Sequence, residues 1–314
     1  MPEVLVLGHD DVAALLDLDA LLPALAEAFR QFSAGATSAP PRTAAFTADG
    51  LLGSMPAFVP GAGLAVKLVS VFPDNHARGL PSHQALIAVF DDATGTPLAL
   101  IDGTRITTVR TGAAAAVAAD ALARPDARVL AILGAGVQGG SHLDAFDRIR
   151  DFADIRIASR TAENAAALAA RHPRARAVDS FEEAVRGADV VCCCTDARSP
   201  VLRTSWLDPG AHVGSVGGSF GPELPADLVA GRVFVEWRGA ALNPPPAGAH
   251  DLQGVDPAQL TEIGEVLAGT APGRTSDGEI TVYKSTGHAV EDAAAARLVL
   301  DAARAAGRGS VVHL

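Results

Sequence analysis

The chain has 314 residues, 49% hydrophobic and 19% charged, which is typical of a folded globular protein and long enough for two domains. The formal net charge is −11 and Lys and Arg form no run, so we expect no nucleic acid and no membrane as partners, but small molecules. No apolar stretch is long enough to span a membrane, and the start resembles no secretory signal, so we expect a cytoplasmic protein.

The first third of the sequence predicts one helix followed by a sheet. Leu and Ala recur at helical spacing over Ala20–Phe32, with Asp19 as the expected N-cap. The predicted strands are Arg42–Ala48, Leu51–Val59, Leu64–Phe72, His83–Asp91 and Pro97–Asp102. A turn sequence, Asp92-Ala-Thr-Gly95, predicts a hairpin between the last two. Because no long helix separates these strands, we predict a mostly antiparallel sheet in an α+β domain.

An Ala-rich helix over Thr107–Leu122 is expected to lead into a second region, in which strands and helices alternate. Its helices include Thr161–Arg171 and one opened by Ser180, which should form a capping box with Glu183. Its predicted strands are Val129–Leu133, Ile155–Ala158, Val190–Cys194, His212–Val216, Val233–Glu236 and Ile280–Lys284. Such alternation predicts an α/β fold with a doubly wound parallel sheet of the Rossmann type.

We therefore predict two domains. The first covers residues 1–112, and the C-terminal helix, within 289–314, is expected to return to it. The second is a Rossmann dinucleotide-binding domain over residues 113–288. No metal site is predicted, because the three consecutive cysteines Cys192–Cys194 would alternate between the two faces of a strand and cannot converge on zinc.

A glycine motif follows the strand Val129–Leu133 directly and opens a helix. In Gly134-Ala-Gly136-Val137-Gln138-Gly139, the first glycine allows a tight turn and the second lets the backbone approach a pyrophosphate. The third allows close packing of helix and strand, while the helix N-terminus offers free N–H groups to the anion. Strand, loop and helix all lie in the required order, so these residues, Val137 and Gln138 included, are predicted to bind a dinucleotide.

The end of the second Rossmann strand indicates which dinucleotide is bound. Sites for NAD place an Asp or Glu there, but this chain has Ser159, Arg160 and Thr161. A hydroxyl and a guanidinium suit a 2′-phosphate, so NADP(H) is favoured and NAD(H) remains possible. The alternative is that Arg160 is an exposed loop residue without a role in specificity. Thr195, after the strand Val190–Cys194, is assigned to the same cofactor site.

Three cations stand out in the first domain. Arg42 follows two prolines, Lys67 lies within an otherwise apolar predicted strand, and Arg110 lies near the start of the Ala-rich helix. Burying an unpaired charge is costly, so Lys67 needs a partner or a function unless it reaches solvent at an edge. Together the three side chains could bind a carboxylate, which arginine grips with two parallel hydrogen bonds.

Four segments resemble the ornithine cyclodeaminase/mu-crystallin family, and the resemblance covers nearly the whole chain. The first segment begins at Lys67 and includes Phe72-Pro-Asp-Asn75 and Gly79-Leu-Pro-Ser-His83, and the second begins at Asp92 and ends with Thr108-Val-Arg110-Thr-Gly-Ala113. The third is the Gly134–Gly139 loop, and the fourth includes Thr281-Val-Tyr-Lys284-Ser-Thr-Gly287 and Val290-Glu-Asp292. The resemblance implies a homodimer in which residues 1–112 form a substrate-binding and dimerisation domain. It also implies that Arg42, Lys67 and Arg110 bind the substrate carboxylate, and that Lys67 exchanges a proton with the reacting nitrogen.

Two further positions are candidate site residues. His83 could approach the substrate and is assigned to its site, although a histidine beside a loop is more often merely exposed. Cyclodeaminases of the family carry a catalytic Asp after a Val-Gly-Gly sequence, and here Val216-Gly-Gly218 is followed by Ser219. Ser219 is therefore the third candidate catalytic residue, while the shortened segment leaves Glu223 or Asp227 as possible replacements for the Asp.

Three functions are compatible with these residues. The first is an NAD(P)H-dependent imine or ketimine reductase, or in the opposite direction an amino-acid dehydrogenase, acting on a small imino or amino acid by hydride transfer at a carbon–nitrogen bond. The second is an amino-acid cyclodeaminase of the ornithine type. The third is a non-catalytic carrier that binds a small ligand with NADPH, as the crystallin relatives do. Lys67 and Arg110 favour an enzyme, and Ser219 favours the reductase.

Overall fold

The computed structural model describes residues 3–218 and 221–313, and the side chain of His76 is not described. The chain divides into two compact units, Met1–Arg110 with His288–Leu314 and Thr111–Gly287. The predicted fold class is confirmed: a doubly wound parallel sheet lies in one unit, and a mostly antiparallel sheet with helices lies in the other. The assignment of the first unit to substrate binding and dimerisation stays a prediction.

The first unit is built on a seven-stranded sheet in the order β15-β1-β6-β5-β4-β3-β2. Up to the unit boundary its elements are β1 (Glu3–Leu7), α1 (His9–Leu15), α2 (Leu18–Ser33), β2 (Thr43–Phe46), β3 (Leu51–Val59), β4 (Gly63–Val71), β5 (His83–Phe90), β6 (Pro97–Asp102) and α3 (Gly103–Leu122), the last of which crosses it. Helix α10 (Ala289–Ala306) and strand β15 (Ser310–His313) complete the unit, and α10 packs on α2, β3 and β4.

Four details of this unit differ from the sequence-based expectation. The N-cap of α2 is Asp17, whose side chain accepts a hydrogen bond from the backbone N–H of Asp19, so the prediction of Asp19 as the cap is wrong. The sequence predicts one helix before the sheet, but α1 precedes α2, and strands β1 and β15 were also not predicted. Strand β1 pairs with β6 in parallel and with β15 in the antiparallel sense, so its partners come from distant parts of the chain.

The second unit has an eight-stranded parallel sheet in the order β13-β12-β14-β11-β10-β7-β8-β9. Its elements are β7 (Val129–Leu133), α4 (Val137–Ile149), β8 (Asp154–Ala158), α5 (Ala162–Ala169), β9 (Ala175–Ala177), α6 (Phe181–Val185), β10 (Val190–Cys193), β11 (His212–Ser215), α7 (Ala226–Val229), β12 (Val233–Val235), α8 (Gly239–Leu242), β13 (Thr261–Glu262), α9 (Ile263–Leu267) and β14 (Thr281–Lys284). Strands β8 and β9 lie on one side of β7, and β10 and β11 lie on the other, so the strand order reverses at β7. Sheets of this kind bind ligands at the carboxyl ends of the strands, next to the point of reversal.

The expected capping box of α6 is only half formed. The Ser180 hydroxyl accepts a hydrogen bond from the Glu183 N–H, but the Glu183 carboxylate accepts from Asp179 and not from Ser180. Within the described ranges, no helix has the length and apolar character needed to cross a membrane. The side chains in residues 3–218 and 221–313 also place no three His, Cys, Asp or Glu residues together as metal ligands.

Candidate functional site

A buried cluster of charged side chains lies in the first unit. Lys67 projects from β4, and its Nζ lies 2.9 Å from Asp292 Oδ1 and 2.8 Å from Oδ2. Arg110, on α3, donates from Nε to Asp292 Oδ1 at 3.1 Å and from Nη1 to Glu291 Oε2 at 2.8 Å. All four side chains are at most 5% exposed, so the network is removed from solvent.

The same cluster determines the protonation of Lys67. Burial lowers the pKa of Lys67 from 10.5 to about 8. The negative charge of Asp292 opposes this effect and raises the pKa, whereas the positive charges of Arg110 and Arg42 lower it further. Burial would raise the pKa of Asp292, but Lys67 and Arg110 hold it below its usual value. Lys67 can therefore gain or lose a proton near neutral pH while Asp292 stays ionised, which suits a general acid or base.

His288 lies beside this cluster at the start of α10. Its ring packs on Phe32 with the ring centroids 4.4 Å apart, and it is buried. Burial, with the nearby Arg42 and Arg110, lowers the pKa of His288 to about 3 despite an opposing effect of Asp292. His288 is therefore neutral at physiological pH and adds no charge to the cluster.

The structure brings together the three predicted cations, because Arg42 also influences the pKa values of Lys67, His288 and Asp292. Lys67 and Arg110 contact the carboxylates of Glu291 and Asp292. With Arg42, the five side chains carry a formal charge of +1, which suits a monoanionic carboxylate ligand. By contrast, His83 at the start of β5 is exposed, with Nδ1 3.0 Å from Ser82 Oγ.

Sequence reasoning missed the two acids that hold the cations. Glu291 and Asp292 are the only consecutive acids in the predicted C-terminal helix, where apolar neighbours surround them. That pattern was the available signal, since buried acids require cationic partners. Glu291 also accepts a hydrogen bond from the backbone N–H of His288 at 2.6 Å, and so caps the helix it belongs to.

The glycine loop of the second unit has the backbone geometry that the glycine motif predicts. Gly134 has φ of +106°, and a Cβ there would lie 2.6 Å from the carbonyl oxygen of Cys194. A Cβ at Gly139 would collide with the carbonyl oxygen of Gly134. At Gly136, the N-cap of α4, a Cβ would meet nothing within 4 Å, so the backbone at this helix N-terminus is open to approach, as the binding of a pyrophosphate requires.

The remaining predicted cofactor residues lie at the ends of neighbouring strands. Val137 is 69% exposed and Gln138 is half-buried in the first turn of α4. Ser159 follows β8 and accepts a hydrogen bond from the Thr161 N–H at 3.4 Å. These positions place the predicted residues along the carboxyl edge of the sheet, where α/β proteins of this kind bind ligands.

Among these residues, Arg160 is exposed in the loop after β8. Thr195, two residues past the end of β10, is half-buried, and both its N–H and its hydroxyl donate to the Glu223 carboxylate, at 2.7 and 2.6 Å. The Thr195 side chain is therefore already committed to a protein partner.

The third candidate catalytic residue, Ser219, lies outside the described residues. Its two possible replacements are described. Glu223 is fully buried and accepts four hydrogen bonds, whereas Asp227 is exposed in the first turn of α7. Glu223 is thus occupied by the protein itself.

The sequence matches the model of the ornithine cyclodeaminase/mu-crystallin family over residues 3–307. It is 40% identical over 291 residues to the ketimine reductase mu-crystallin of Mus musculus, covering 90% of this chain and 91% of that protein. The structure of Thermococcus litoralis Δ1-pyrroline-2-carboxylate reductase in complex with NADH and L-proline is similar with a TM-score of 0.92 and 33% identity, covering 98% of this chain and 100% of that one. An archaeal alanine dehydrogenase dimer with bound NAD has a TM-score of 0.88 and 31% identity, covering 99% of each chain.

Proposed function

Because this chain belongs to the ornithine cyclodeaminase/mu-crystallin family, we propose that it is an NAD(P)H-dependent oxidoreductase acting on carbon–nitrogen bonds. Its reaction is the reduction of a small imino acid, or in the opposite direction the oxidation of an amino acid. The relatives named as a ketimine reductase, a pyrroline-2-carboxylate reductase and an alanine dehydrogenase support this reaction class.

The observation that carries the proposal is the buried Lys67, with its pKa lowered to about 8. Imine reduction adds a hydride to carbon and a proton to nitrogen. The nicotinamide, when bound, supplies the hydride, and protonated Lys67 supplies the proton to the nitrogen, directly or through a water. In the oxidative direction neutral Lys67 accepts that proton. Asp292, at 2.8 Å, keeps Lys67 oriented and favours its charged form.

The substrate carboxylate is bound by the cations of the same unit. The positive charges of Arg42 and Arg110 attract the negative carboxylate, and binding of a monoanion balances the formal charge of +1 in the cluster. Glu291 and Asp292 hold the Arg110 guanidinium through Nη1 and Nε, which fixes the orientation of this side chain. Fixing the orientation of Arg110 before the ligand arrives lowers the entropic cost of binding.

The cofactor is a nicotinamide dinucleotide held by the Gly134–Gly139 loop. We further propose a preference for NADP(H), supported by the exposed Arg160 and by Ser159 at the position where NAD sites carry an acid. The solved relatives contain NADH or NAD, so NAD(H) is the competing cofactor.

The partner of the chain is a second copy. The face of the first sheet that carries Leu68 and Leu86, which pair across β4 and β5, also carries Leu52 and Leu100. These leucines are 41%, 56%, 52% and 39% exposed, respectively. A continuous apolar sheet face of this kind is typical of an interface. A homodimer through this face is supported by the solved alanine dehydrogenase, which is a dimer.

Cyclodeamination is the second candidate and is disfavoured by Glu223. That reaction needs a base for the distal ammonium of the substrate, and a serine at position 219 supplies none at neutral pH. Glu223 accepts four hydrogen bonds from the protein, so it is not free to replace the missing carboxylate. A pure carrier is disfavoured because it has no use for a buried lysine poised near neutral pH.

One experiment separates the three functions. The purified protein is incubated with NADPH or NADH and a panel of cyclic and linear imino acids, and cofactor absorbance is followed. Loss of absorbance that depends on the imino acid supports the reductase, while no loss with any substrate indicates a carrier. In parallel, ornithine with catalytic NAD(P)⁺ is assayed for proline and ammonia. Formation of both would overturn the reductase in favour of a cyclodeaminase.

A further inference from the structure

Three buried ionisable residues meet at the carboxyl edge of the parallel sheet. The side chains of Glu223, Asp251 and Lys284 are fully buried. Lys284 ends β14, and its Nζ lies 2.9 Å from Asp251 Oδ2. The three carry a formal charge of −1, and they were not selected as a group from the sequence. Burying three charges needs a compensating network of hydrogen bonds.

Glu223 joins the ends of two neighbouring strands. Its Oε1 accepts hydrogen bonds from the N–H and the hydroxyl of Thr195, just beyond β10. Its Oε2 accepts from the Ser215 hydroxyl at 2.6 Å and from the Gly217 N–H at 2.9 Å, at and just beyond the end of β11. One carboxylate therefore fixes both the Thr195 and the Gly217 backbone.

Asp251 and Lys284 hold the same segment from the other side. Asp251 Oδ1 accepts from the N–H groups of Glu223 and Leu224, both at 2.7 Å. Lys284 donates to Ser215 Oγ at 2.8 Å and to the carbonyl oxygen of Gly217 at 2.9 Å. Gly217 is thus bonded at both its N–H and its carbonyl group, which leaves its peptide planes little freedom.

The position of this network relative to the glycine loop indicates its role. A dinucleotide bound at the carboxyl edge has its pyrophosphate at the loop after β7 and its adenosine ribose at the end of β8. The nicotinamide half then extends to the opposite side of β7, toward β10 and β11. Thr195 adjoins the loop, since a Cβ at Gly134 would lie 3.1 Å from Thr195 Cγ2.

We propose that Glu223 is a positioning residue for the nicotinamide half of the cofactor. It holds the Thr195 and Gly217 backbones as one rigid surface on which that half of the dinucleotide is bound, and it touches neither cofactor nor substrate itself. This role rests on the proposed nicotinamide cofactor. It also explains why the segment after β11 keeps a buried acid that is not available as a base.

The test compares two ligands in the variant Glu223→Gln. The amide keeps the size of the side chain but cannot accept all four hydrogen bonds, because its NH₂ group only donates. NADPH and NADH report on the whole site, whereas ADP lacks the nicotinamide riboside. We expect the Kd of both dinucleotides to rise about tenfold or more, as for a lost charge-assisted hydrogen bond, with that of ADP unchanged. Titration calorimetry measures all three.

A matched control is Glu279→Gln, in the same unit just before the other end of β14. The Glu279 side chain is 14% exposed, and like Glu223 it accepts several hydrogen bonds, from Arg232 Nη1 at 3.1 Å and from the Thr275 hydroxyl at 3.0 Å among others. This variant is expected to lose stability without any change in dinucleotide affinity. Equal losses for ADP and dinucleotides in Glu223→Gln, or wild-type affinity for all three, would overturn the positioning role.

A second variant keeps the test decisive if Glu223→Gln does not fold. Ser215 is fully buried, so Ser215→Ala acts only through its bonds to Glu223 and Lys284. The same selective rise in dinucleotide Kd is expected, together with a higher KM for the cofactor at little-changed kcat. Unchanged affinities in Ser215→Ala would then refute the proposal. Failure of the wild-type protein to bind any dinucleotide would instead refute the proposed cofactor.

Discussion

Replacing Asp292 with Asn should move the pH dependence of imine reduction to lower pH. Protonated Lys67 is the proposed proton donor, and its pKa is lowered to about 8 by burial, with Asp292 as the largest opposing influence. Above pH 8 the reductive kcat/KM of the wild type should fall about tenfold per pH unit, as the donor is lost. The oxidative reaction needs neutral Lys67 and should rise through the same range.

The size of the shift follows from the removed charge. An opposite charge at 2.8 Å contributes about 1–3 pH units to a pKa, so the midpoint in Asp292→Asn should fall from about 8 to between about 5 and 7. At pH 7 the protonated fraction of Lys67 then falls from about nine-tenths to about half or less. The other groups around Lys67 do not titrate in the range of the assay, because Arg42 and Arg110 stay charged and His288, with its pKa of about 3, stays neutral.

The assay is the pH profile of kcat/KM for one imino acid between pH 5 and 10, with cofactor saturating. Glu291→Gln is the matched control: this neighbouring buried acid bonds to Arg110 and not to Lys67. It should raise KM for the carboxylate substrate while the midpoint stays near 8. A midpoint unmoved in Asp292→Asn, or a wild-type profile that is flat from pH 7 to 9.5, would refute Lys67 as the proton donor.

Three further outcomes are expected. Lys67→Met should abolish turnover while cofactor affinity is retained, and retained turnover would remove Lys67 from the mechanism. In denaturant titrations, the free energy of unfolding of the wild type relative to this variant should rise from pH 8 to 10.5, because in this range Lys67 is protonated in the unfolded chain but neutral in the folded protein. Arg160→Ala should weaken NADPH by about 1.5–3 kcal/mol and NADH little, and equal losses in titrations would exclude a 2′-phosphate contact. Leu86→Lys, at a leucine that is 56% exposed, should lower the mass in solution to that of a monomer. The control Leu242→Lys, at a leucine of the second unit that is 70% exposed, should not change the mass; a dimeric Leu86→Lys would place the interface elsewhere.

Local sequence was sufficient wherever neighbouring residues decide the structure. The run from Val129 to Gly139 predicts a strand, a tight glycine turn and a helix, and all three are present. The turn depends on a backbone conformation that only glycine adopts readily, at Gly134, so its signal is local. Lys67 stood out for a similar reason, since a charge in an apolar strand is visible in the sequence itself.

Short strands at one side of the first sheet were harder to predict, because their partners lie far away in the sequence. Strand β1 has five residues and pairs with β15 and β6, while the edge strand β15 has four residues and pairs with β1 from the other end of the chain. Nothing in a five-residue segment specifies such a partner. The N-cap of α2 was misplaced by two residues for a different reason: Asp17 and Asp19 are equally good caps by type, and only backbone geometry selects Asp17.

The sequence by itself determined the fold class, the glycine loop and the three cations of the first unit. Only the tertiary structure decided what those cations contact, because Lys67 and Asp292 are 225 residues apart in the chain. It likewise decided that Glu223 bonds to Thr195 and Ser215 and is therefore no free base. The residue type indicates that a buried charge needs a partner. Tertiary packing determines which residue that partner is, because it brings distant segments within 3 Å of each other and so shifts the pKa of groups such as Lys67.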